Sequence, residues 1–196
     1  MSKFIIAKTL TIQIENYTYG KPFIQMDTPV SYSLYDLIEM IRMWTKYTNT
    51  YDWEFSNPYE ESGSKKLSLK NNREELERTT FDKYRKTTPY IICKYGSIEM
   101  KLGVRGFIKY RKIYPTIYQA VGYFPTEDEF LNNIKISDVD GKYTVPGKSL
   151  PSATHLVNND LIELGEKLKE YFNNKYKISN EIVEGSSFNE NQLIEK

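Results

Sequence analysis

The side chains most capable of chemistry in this sequence are cations and tyrosines concentrated between positions 83 and 123. This segment contains nine Lys or Arg and seven tyrosines but a single acidic residue, Glu99. The rest of the chain has 18 basic and 25 acidic residues, so the total formal charge of +1 hides two regions of opposite sign. A basic segment with interleaved aromatic rings is typical of a surface that binds a large anion, and nucleic acid is the commonest such ligand.

The longest strand predicted in the basic segment, from Val104 to Ile113, determines which cations lie together. Because successive side chains of a strand point to opposite faces, regular alternation places Arg105, Lys109 and Arg111 on one face. Phe107 shares that face. Cations arranged in this way neutralise phosphates, and tyrosines beside them stack on bases for about 1–3 kcal/mol each.

We therefore predict a surface that binds nucleic acid, single-stranded or structured, or an anionic protein surface. Its predicted residues are Lys94, Tyr95, Lys101, Arg105, Lys109, Tyr110, Arg111 and Tyr118. The sequence does not predict an oligomeric state.

Two other interpretations of the basic segment stay open. A solvated antiparallel sheet needs polar side chains on its outer face, and Lys or Arg meets that need without any ligand. Tyrosine and arginine are also enriched among the residues that dominate protein-protein interfaces. The alternative function is therefore a protein-protein interaction factor, either an inhibitor of a host defence or replication enzyme or a structural component of a virion.

Signatures of catalysis are weak. The chain has one cysteine, Cys93, which shares strand parity with Ile91 and is predicted to be a core residue, and one histidine, His155, far from it in sequence. Asp138 and Asp140 lie on one face of a predicted strand but lack the third oxygen ligand of a calcium loop. The run from Gly147 to Ser149 lacks the first glycine of a phosphate-binding loop. We predict a binding protein that is not an enzyme and that uses neither a cofactor nor a metal.

Composition indicates the cellular setting. No apolar run approaches the roughly 18 residues that span a bilayer, and the residues from Met1 to Lys8 do not resemble a secretory signal. A single cysteine precludes an internal disulfide, which suits a reducing cytoplasm. Ile, Lys, Asn and Tyr make up 71 of the 196 residues, and alanine only three. Because codons of those four are rich in A and T, we expect an AT-rich genome and a phage or other mobile element as the source.

The elements that position these side chains are predicted to form an α+β fold. We expect a largely antiparallel sheet of about six to eight strands with two main helices packed on one face. The helices run from Ser33 to Tyr47 and from Asp160 to Tyr176, each with apolar residues at helical spacing. Residues 1–178 form a single domain, and residues 179–196 form a tail too polar to pack.

Turn and capping residues set the expected boundaries of the remaining elements. Four short strands in the basic segment, Pro89–Tyr95, Ser97–Leu102, Val104–Ile113 and Thr116–Val121, are separated by Gly96, Gly103 and Pro115. A polar helix is predicted to begin at Asn72, whose capping-box partner is Glu75. Asp140-Gly141 predicts a two-residue hairpin turn.

Overall fold

The computed structural model describes residues 5–14, 22–59, 66–121, 127, 137–139, 142–145, 148–149 and 158–183. Its main sheet has seven antiparallel strands, β1 (Ile5–Ile14), β2 (Phe23–Pro29), β3 (Trp53–Ser56), β4 (Leu67–Ser68), β5 (Tyr90–Tyr95), β6 (Ile98–Tyr110) and β7 (Thr116–Val121). The order across the sheet is β4-β3-β5-β6-β1-β2-β7. A separate three-stranded sheet contains β8 (Ser137–Val139), β9 (Lys142–Val145) and β10 (Lys148–Ser149).

Helices accompany the main sheet. In the described part of the chain they are α1 (Leu34–Thr45), α2 (Leu69–Arg78), α3 (Phe81–Arg85) and α4 (Asn158–Val183). The predicted α+β class and the predicted size of the sheet are confirmed. None of the described helices is long and apolar enough to cross a lipid bilayer.

The core lies between one face of the main sheet and the helices α1 and α4. Alternate residues of β1, Leu10, Ile12 and Ile14, are buried as their spacing predicts. They belong to one apolar cluster with Leu37 of α1 and Phe172 of α4. Full burial of such a side chain contributes about 1.5–3 kcal/mol, so this cluster holds both helices on the same side of the sheet. We call the opposite side of the sheet the outer face.

The first helix begins where the sequence predicts. Ser33 Oγ accepts a hydrogen bond from the Asp36 N–H at 3.1 Å, and the Asp36 carboxylate accepts one from the Ser33 N–H at 2.8 Å. This reciprocal capping box satisfies two of the donors that a helix start leaves open. The helix ends at Thr45, after which Lys46 adopts a φ of 60° and donates its N–H to the Arg42 carbonyl.

The predicted helix start at Asn72 is wrong. Helix α2 begins at Leu69 because Ser68 is its cap, and the Ser68 hydroxyl accepts a hydrogen bond from the Asn71 N–H at 3.2 Å. The Asn72 side-chain oxygen instead accepts from the Ser68 N–H at 3.2 Å, at a kink inside the helix. The single polar helix expected here is two helices, since α2 ends at Arg78 and α3 follows.

The predicted strand boundary at Gly103 is also wrong. Strand β6 continues through this glycine, which pairs with Tyr90 of β5 on one side and with Thr11 of β1 on the other. Gly103 has no positive φ, so it does not adopt the left-handed conformation for which turns favour glycine. The two short strands expected on either side of it are one long strand.

The last elements agree in part with their predicted limits. Strands β8 and β9 pair antiparallel on either side of Asp140-Gly141, although the turn residues lie outside the described part. Helix α4 continues to Val183, past the predicted start of a polar tail at residue 179. Residues 184–196 lie outside the described part.

Candidate functional site

A β-bulge at Gly106 changes the direction of the side chains along β6. Gly106 has a φ of 53° and is an extra residue between Arg105, which pairs with Thr9, and Phe107, which pairs with Lys8. A single extra residue reverses the alternation that follows it. Arg105 therefore points to the outer face, whereas Phe107 points to the side on which the helices lie.

The reversal separates Lys109 from Arg105. Lys109 pairs with Ile6 and shares the helix side with Phe107, and Arg111 follows the end of β6. The expected single row of Arg105, Lys109 and Arg111 is wrong, because regular alternation does not hold across a bulge.

Two cations remain together on the outer face of β6, at the two ends of a shallow depression. Lys101 and Arg105 flank Gly103, which forms the floor because it has no side chain. At a strand rise of about 3.3 Å, the Cα atoms of the two cations are roughly 13 Å apart. The depression has a volume of about 400 Å³. Its other lining residues are Thr11, Gln13, Pro89, Tyr90 and Val104.

The Lys101 side chain is held at the edge of the depression by an aromatic ring. Its Nζ lies 3.9 Å from the centroid of Tyr90, a residue of the neighbouring strand. Neither Lys101 nor Arg105 has a carboxylate partner within the described ranges. Both charges are therefore available to an anionic ligand.

Lys94, the third predicted cation of this face, is paired within the sheet. Its Nζ lies 3.0 Å from Glu99 Oε2, and Glu54 of β3 lies directly opposite it. With one cation and two carboxylates, this corner of the outer face has a formal charge of −1. Among the described cations of the outer face, Lys101 and Arg105 are therefore the two without a carboxylate partner.

An acidic residue of the same face, Asp27 of β2, is buried. It lies two strands from Arg105, and Thr9 between them donates a hydrogen bond to its carboxylate at 3.1 Å. Burial raises the pKa of Asp27 above its usual value. The cause is desolvation, since burial disfavours the charged form of the carboxyl.

Tyr95 and Tyr110, both predicted to stack on bases, are buried. Tyr95 is 1% exposed and packs on Trp53, with ring centroids 4.4 Å apart. Tyr110 donates a hydrogen bond to the Tyr114 carbonyl at 2.9 Å, and burial raises the pKa of Tyr110 to about 12. Neither ring is accessible to a ligand, because each belongs to the packed interior.

Tyr118 is exposed but lies on a different surface. It is 53% exposed on β7, an edge strand of the described sheet, and lines a groove of about 480 Å³ between β7 and α4. Ile162 of α4, 65% exposed, lies on the opposite wall. Three strand spacings of about 4.8 Å separate β7 from β6, so Tyr118 is remote from Lys101 and Arg105.

The residues considered for catalysis or metal binding do not form a site in the described part. Cys93 is fully buried, and burial raises the pKa of its thiol, so it is protonated at neutral pH and a poor nucleophile. His155, Asp140 and the Asp138 side chain lie outside the described residues. Among the residues described, no three His, Cys, Asp or Glu side chains lie together as a metal ion would require.

Sequence reasoning does not identify the walls of the depression. Tyr90, Thr11 and Gln13 reach it only because of the register between β5, β6 and β1, which the sequence does not state. Gly103 did carry a signal. A glycine inside a strand pattern often marks a place where a ligand or another backbone approaches closely.

Comparison with known proteins adds information on the fold alone. No protein-family model and no curated protein matches this chain. Among solved structures, the chain is similar to MM3350, a protein of unknown function from Methanosarcina mazei Go1. The TM-score is 0.53 at 13% sequence identity, and the match covers 66% of this chain and 77% of that chain.

Proposed function

We propose that this protein is a non-enzymatic nucleic-acid-binding protein of a phage or other mobile element, acting in the cytoplasm of the host. It holds a single-stranded nucleic acid on the outer face of β6, with phosphates beside Lys101 and Arg105. The observation that carries this proposal is that the two cations flank one depression and have no carboxylate partner in the described part. The frequent use of Ile, Lys, Asn and Tyr, whose codons are rich in A and T, supports the proposed source.

The strand next to the two cations suits a polar ligand. Strand β1 presents Thr9, Thr11 and Gln13 on the outer face, beside β6. Uncharged polar side chains of this kind hydrogen-bond to sugars and base edges without adding charge. An open sheet face also favours a single strand, because unstacked bases can lie against it whereas the bases of a duplex are enclosed.

Charge reversal on the two sides of the bulge tests this proposal. Arg105→Glu and Lys109→Glu change the charge equally at exposed positions of one strand, but only Arg105 lies on the outer face. Fluorescence anisotropy with labelled single-stranded DNA and RNA measures the affinity of each. We expect Arg105→Glu to weaken binding at least tenfold, as one charge-assisted contact is worth about 1.5–3 kcal/mol. Lys109→Glu should stay within about twofold of the wild type.

Salt dependence provides a second measurement on the same samples. Each phosphate contact on a single strand contributes about −0.7 to the slope of log K against log salt concentration. The double variant Lys101→Glu with Arg105→Glu should therefore reduce the slope by about 1.4. Absence of salt-dependent binding by the wild type below about 10 μM would remove the proposal. Equal losses in Arg105→Glu and Lys109→Glu would also contradict it.

A protein partner is the second candidate, and the exposed side chains of Tyr118 and Ile162 favour it. They flank the groove between β7 and α4, and an aromatic anchor at a groove is typical of an interaction hot spot. Nuclease-treated host lysate should then yield one stoichiometric partner with the wild type and none with Tyr118→Asp. A species recovered only without nuclease would instead be bridged by nucleic acid.

A further inference from the structure

Gly103 occupies a position where the fold does not require glycine. It has no positive φ, unlike Gly106, and a Cβ atom at position 103 would meet nothing closer than the Pro89 carbonyl oxygen at 3.9 Å. Glycine in the middle of a strand loses more backbone entropy on folding than other residues and contributes no packing. Backbone conformation and packing therefore leave Gly103 unexplained, whereas a ligand lying on the strand would explain it.

The space over Gly103 has the size and the walls of a site for one flat ring. Its volume of about 400 Å³ falls within the range of about 300–1,000 Å³ found for small-molecule pockets. Tyr90 of β5 lies on one side, and Thr11 and Gln13 of β1 lie on the other. The floor between them is the β6 backbone at Gly103, which a planar ring can approach because this residue has no side chain.

The Thr11 hydroxyl, which lines the depression, can donate a hydrogen bond to a ligand. Its Oγ1 accepts a hydrogen bond from Gln25 Nε2 at 3.1 Å. A hydroxyl has one proton, and accepting from Gln25 leaves that proton available to an oxygen atom in the depression. The carbonyl oxygen of a nucleobase is such an acceptor.

We propose that the depression over Gly103 binds a single carbonyl-bearing nucleobase, laid flat on the β6 backbone, with the flanking phosphates beside Lys101 and Arg105. This inference rests on the proposed function and adds to it a site for the base. It requires that affinity depend on the base and not only on the sugar-phosphate backbone.

Two oligonucleotides and three variants test the site for the base. Anisotropy titrations compare a labelled oligothymidylate of about 12 nucleotides with a strand of the same length made of abasic sites. We expect the wild type to bind the oligothymidylate about tenfold more tightly. Gly103→Val fills the depression with a side chain that suits a strand, so it should remove this difference. Gly103→Ala, a smaller change, should reduce the difference.

The matched control places valine elsewhere on the outer face. Gln119 of β7 lies in the same row as Gly103, three strands away through Thr11 and Gln25. Gln119→Val should bind both strands as the wild type does. Thermal unfolding of each variant checks that it is folded.

The outcomes separate this inference from the function on which it rests. Wild-type binding of both oligonucleotides with equal affinity overturns the site for the base and leaves the phosphate contacts standing. A Gly103→Val protein that is folded and still discriminates between the strands also overturns it. Failure of the wild type to bind either oligonucleotide overturns the proposed function itself. Loss of discrimination in Gly103→Val but not in Gln119→Val supports the inference.

Discussion

The ammonium group of Lys101 lies 3.9 Å from the ring centroid of Tyr90, on the strand hydrogen-bonded to its own. A cation-π contact at an exposed site is worth about 0.5–1 kcal/mol. It holds a long and otherwise mobile side chain at one end of the depression over Gly103. In the proposed site, Tyr90 is therefore a positioning residue for Lys101.

Replacing Tyr90 tests this relationship. Tyr90→Leu removes the ring that attracts the ammonium group, and we expect oligonucleotide affinity to fall about threefold. Tyr90→Phe keeps the ring face and should retain the wild-type affinity. Anisotropy measures both variants. If Tyr90→Phe loses as much affinity as Tyr90→Leu, the ring does not act through Lys101.

Substitution by alanine should change the stability of the protein in opposite directions at the two glycines of β6, Gly103 and Gly106. Gly106 has a φ of 53°, where an alanine costs about 1–2 kcal/mol of folding free energy. Gly103 has an ordinary conformation and open space for a Cβ, so Gly103→Ala should stabilise the protein by up to about 1 kcal/mol. Urea denaturation measures both changes. Similar effects at the two positions would contradict the assignment of the bulge to Gly106.

These two glycines also show how far the sequence predicts the site. Both interrupt the same pattern of alternating residues, and the sequence alone does not tell which is a bulge. The φ of a strand glycine depends on its pairing with a neighbouring strand, which is a long-range property. For that reason the sequence places Arg105 and Lys109 on one face, and only the pairing of β6 with β1 separates them.

Structural features that depend on residues close in sequence are predicted better than features that depend on the pairing of distant strands. The start of the first helix at Ser33 is predicted from neighbouring residues and confirmed, and the burial of alternate residues in β1 follows from their spacing alone. The burial of Tyr95 also follows from local spacing, since Tyr95 has the same strand parity as Cys93, a predicted core residue. Tyr90 could not be assigned to the depression, because only the register between β5 and β6 brings it to Lys101.

Asp36 connects the beginning of α1 to α4. Its buried carboxylate accepts hydrogen bonds from Lys175 Nζ and from the Tyr176 hydroxyl, the latter at 2.6 Å, besides the one from Ser33. Hydrogen bonds to a charged group each contribute about 1.5–3 kcal/mol. This carboxylate is therefore a principal polar contact between the two helices.

Asp36→Asn should lower the free energy of unfolding by about 3 kcal/mol, because the amide carries no charge to pair with Lys175. Amide hydrogen exchange of α4 should accelerate more than that of the sheet. Glu163→Gln, a substitution on α4 itself, is the control. It breaks an exposed pair with Lys167, 2.5 Å long, and should change stability by less than about 0.5 kcal/mol. If amide hydrogen exchange instead accelerates uniformly throughout the protein, Asp36 does not act locally on α4.

A second polar contact joins β1 of the main sheet to α3. Lys8 of β1 is 4% exposed, and its ammonium group donates to the Asp82 carboxylate of α3. Arg85 donates to the same carboxylate at 2.8 Å. Burial alone would raise the pKa of Asp82, but the hydrogen bonds from Lys8 and Arg85 outweigh it and hold the pKa below the ordinary 3.8.

The lowered pKa of Asp82 predicts how stability depends on pH. The ionised carboxylate stabilises the fold above the unfolded-state value of 3.8, and this contribution is lost as the pH falls through the lower folded-state pKa. Asp82→Asn should cost about 2 kcal/mol at pH 7, because Lys8 then stays buried without its counter-ion. Urea denaturation of both proteins should show the difference shrinking below a pH of about 4. A difference that stays constant on acidification would mean that the Asp82 charge does not stabilise the fold.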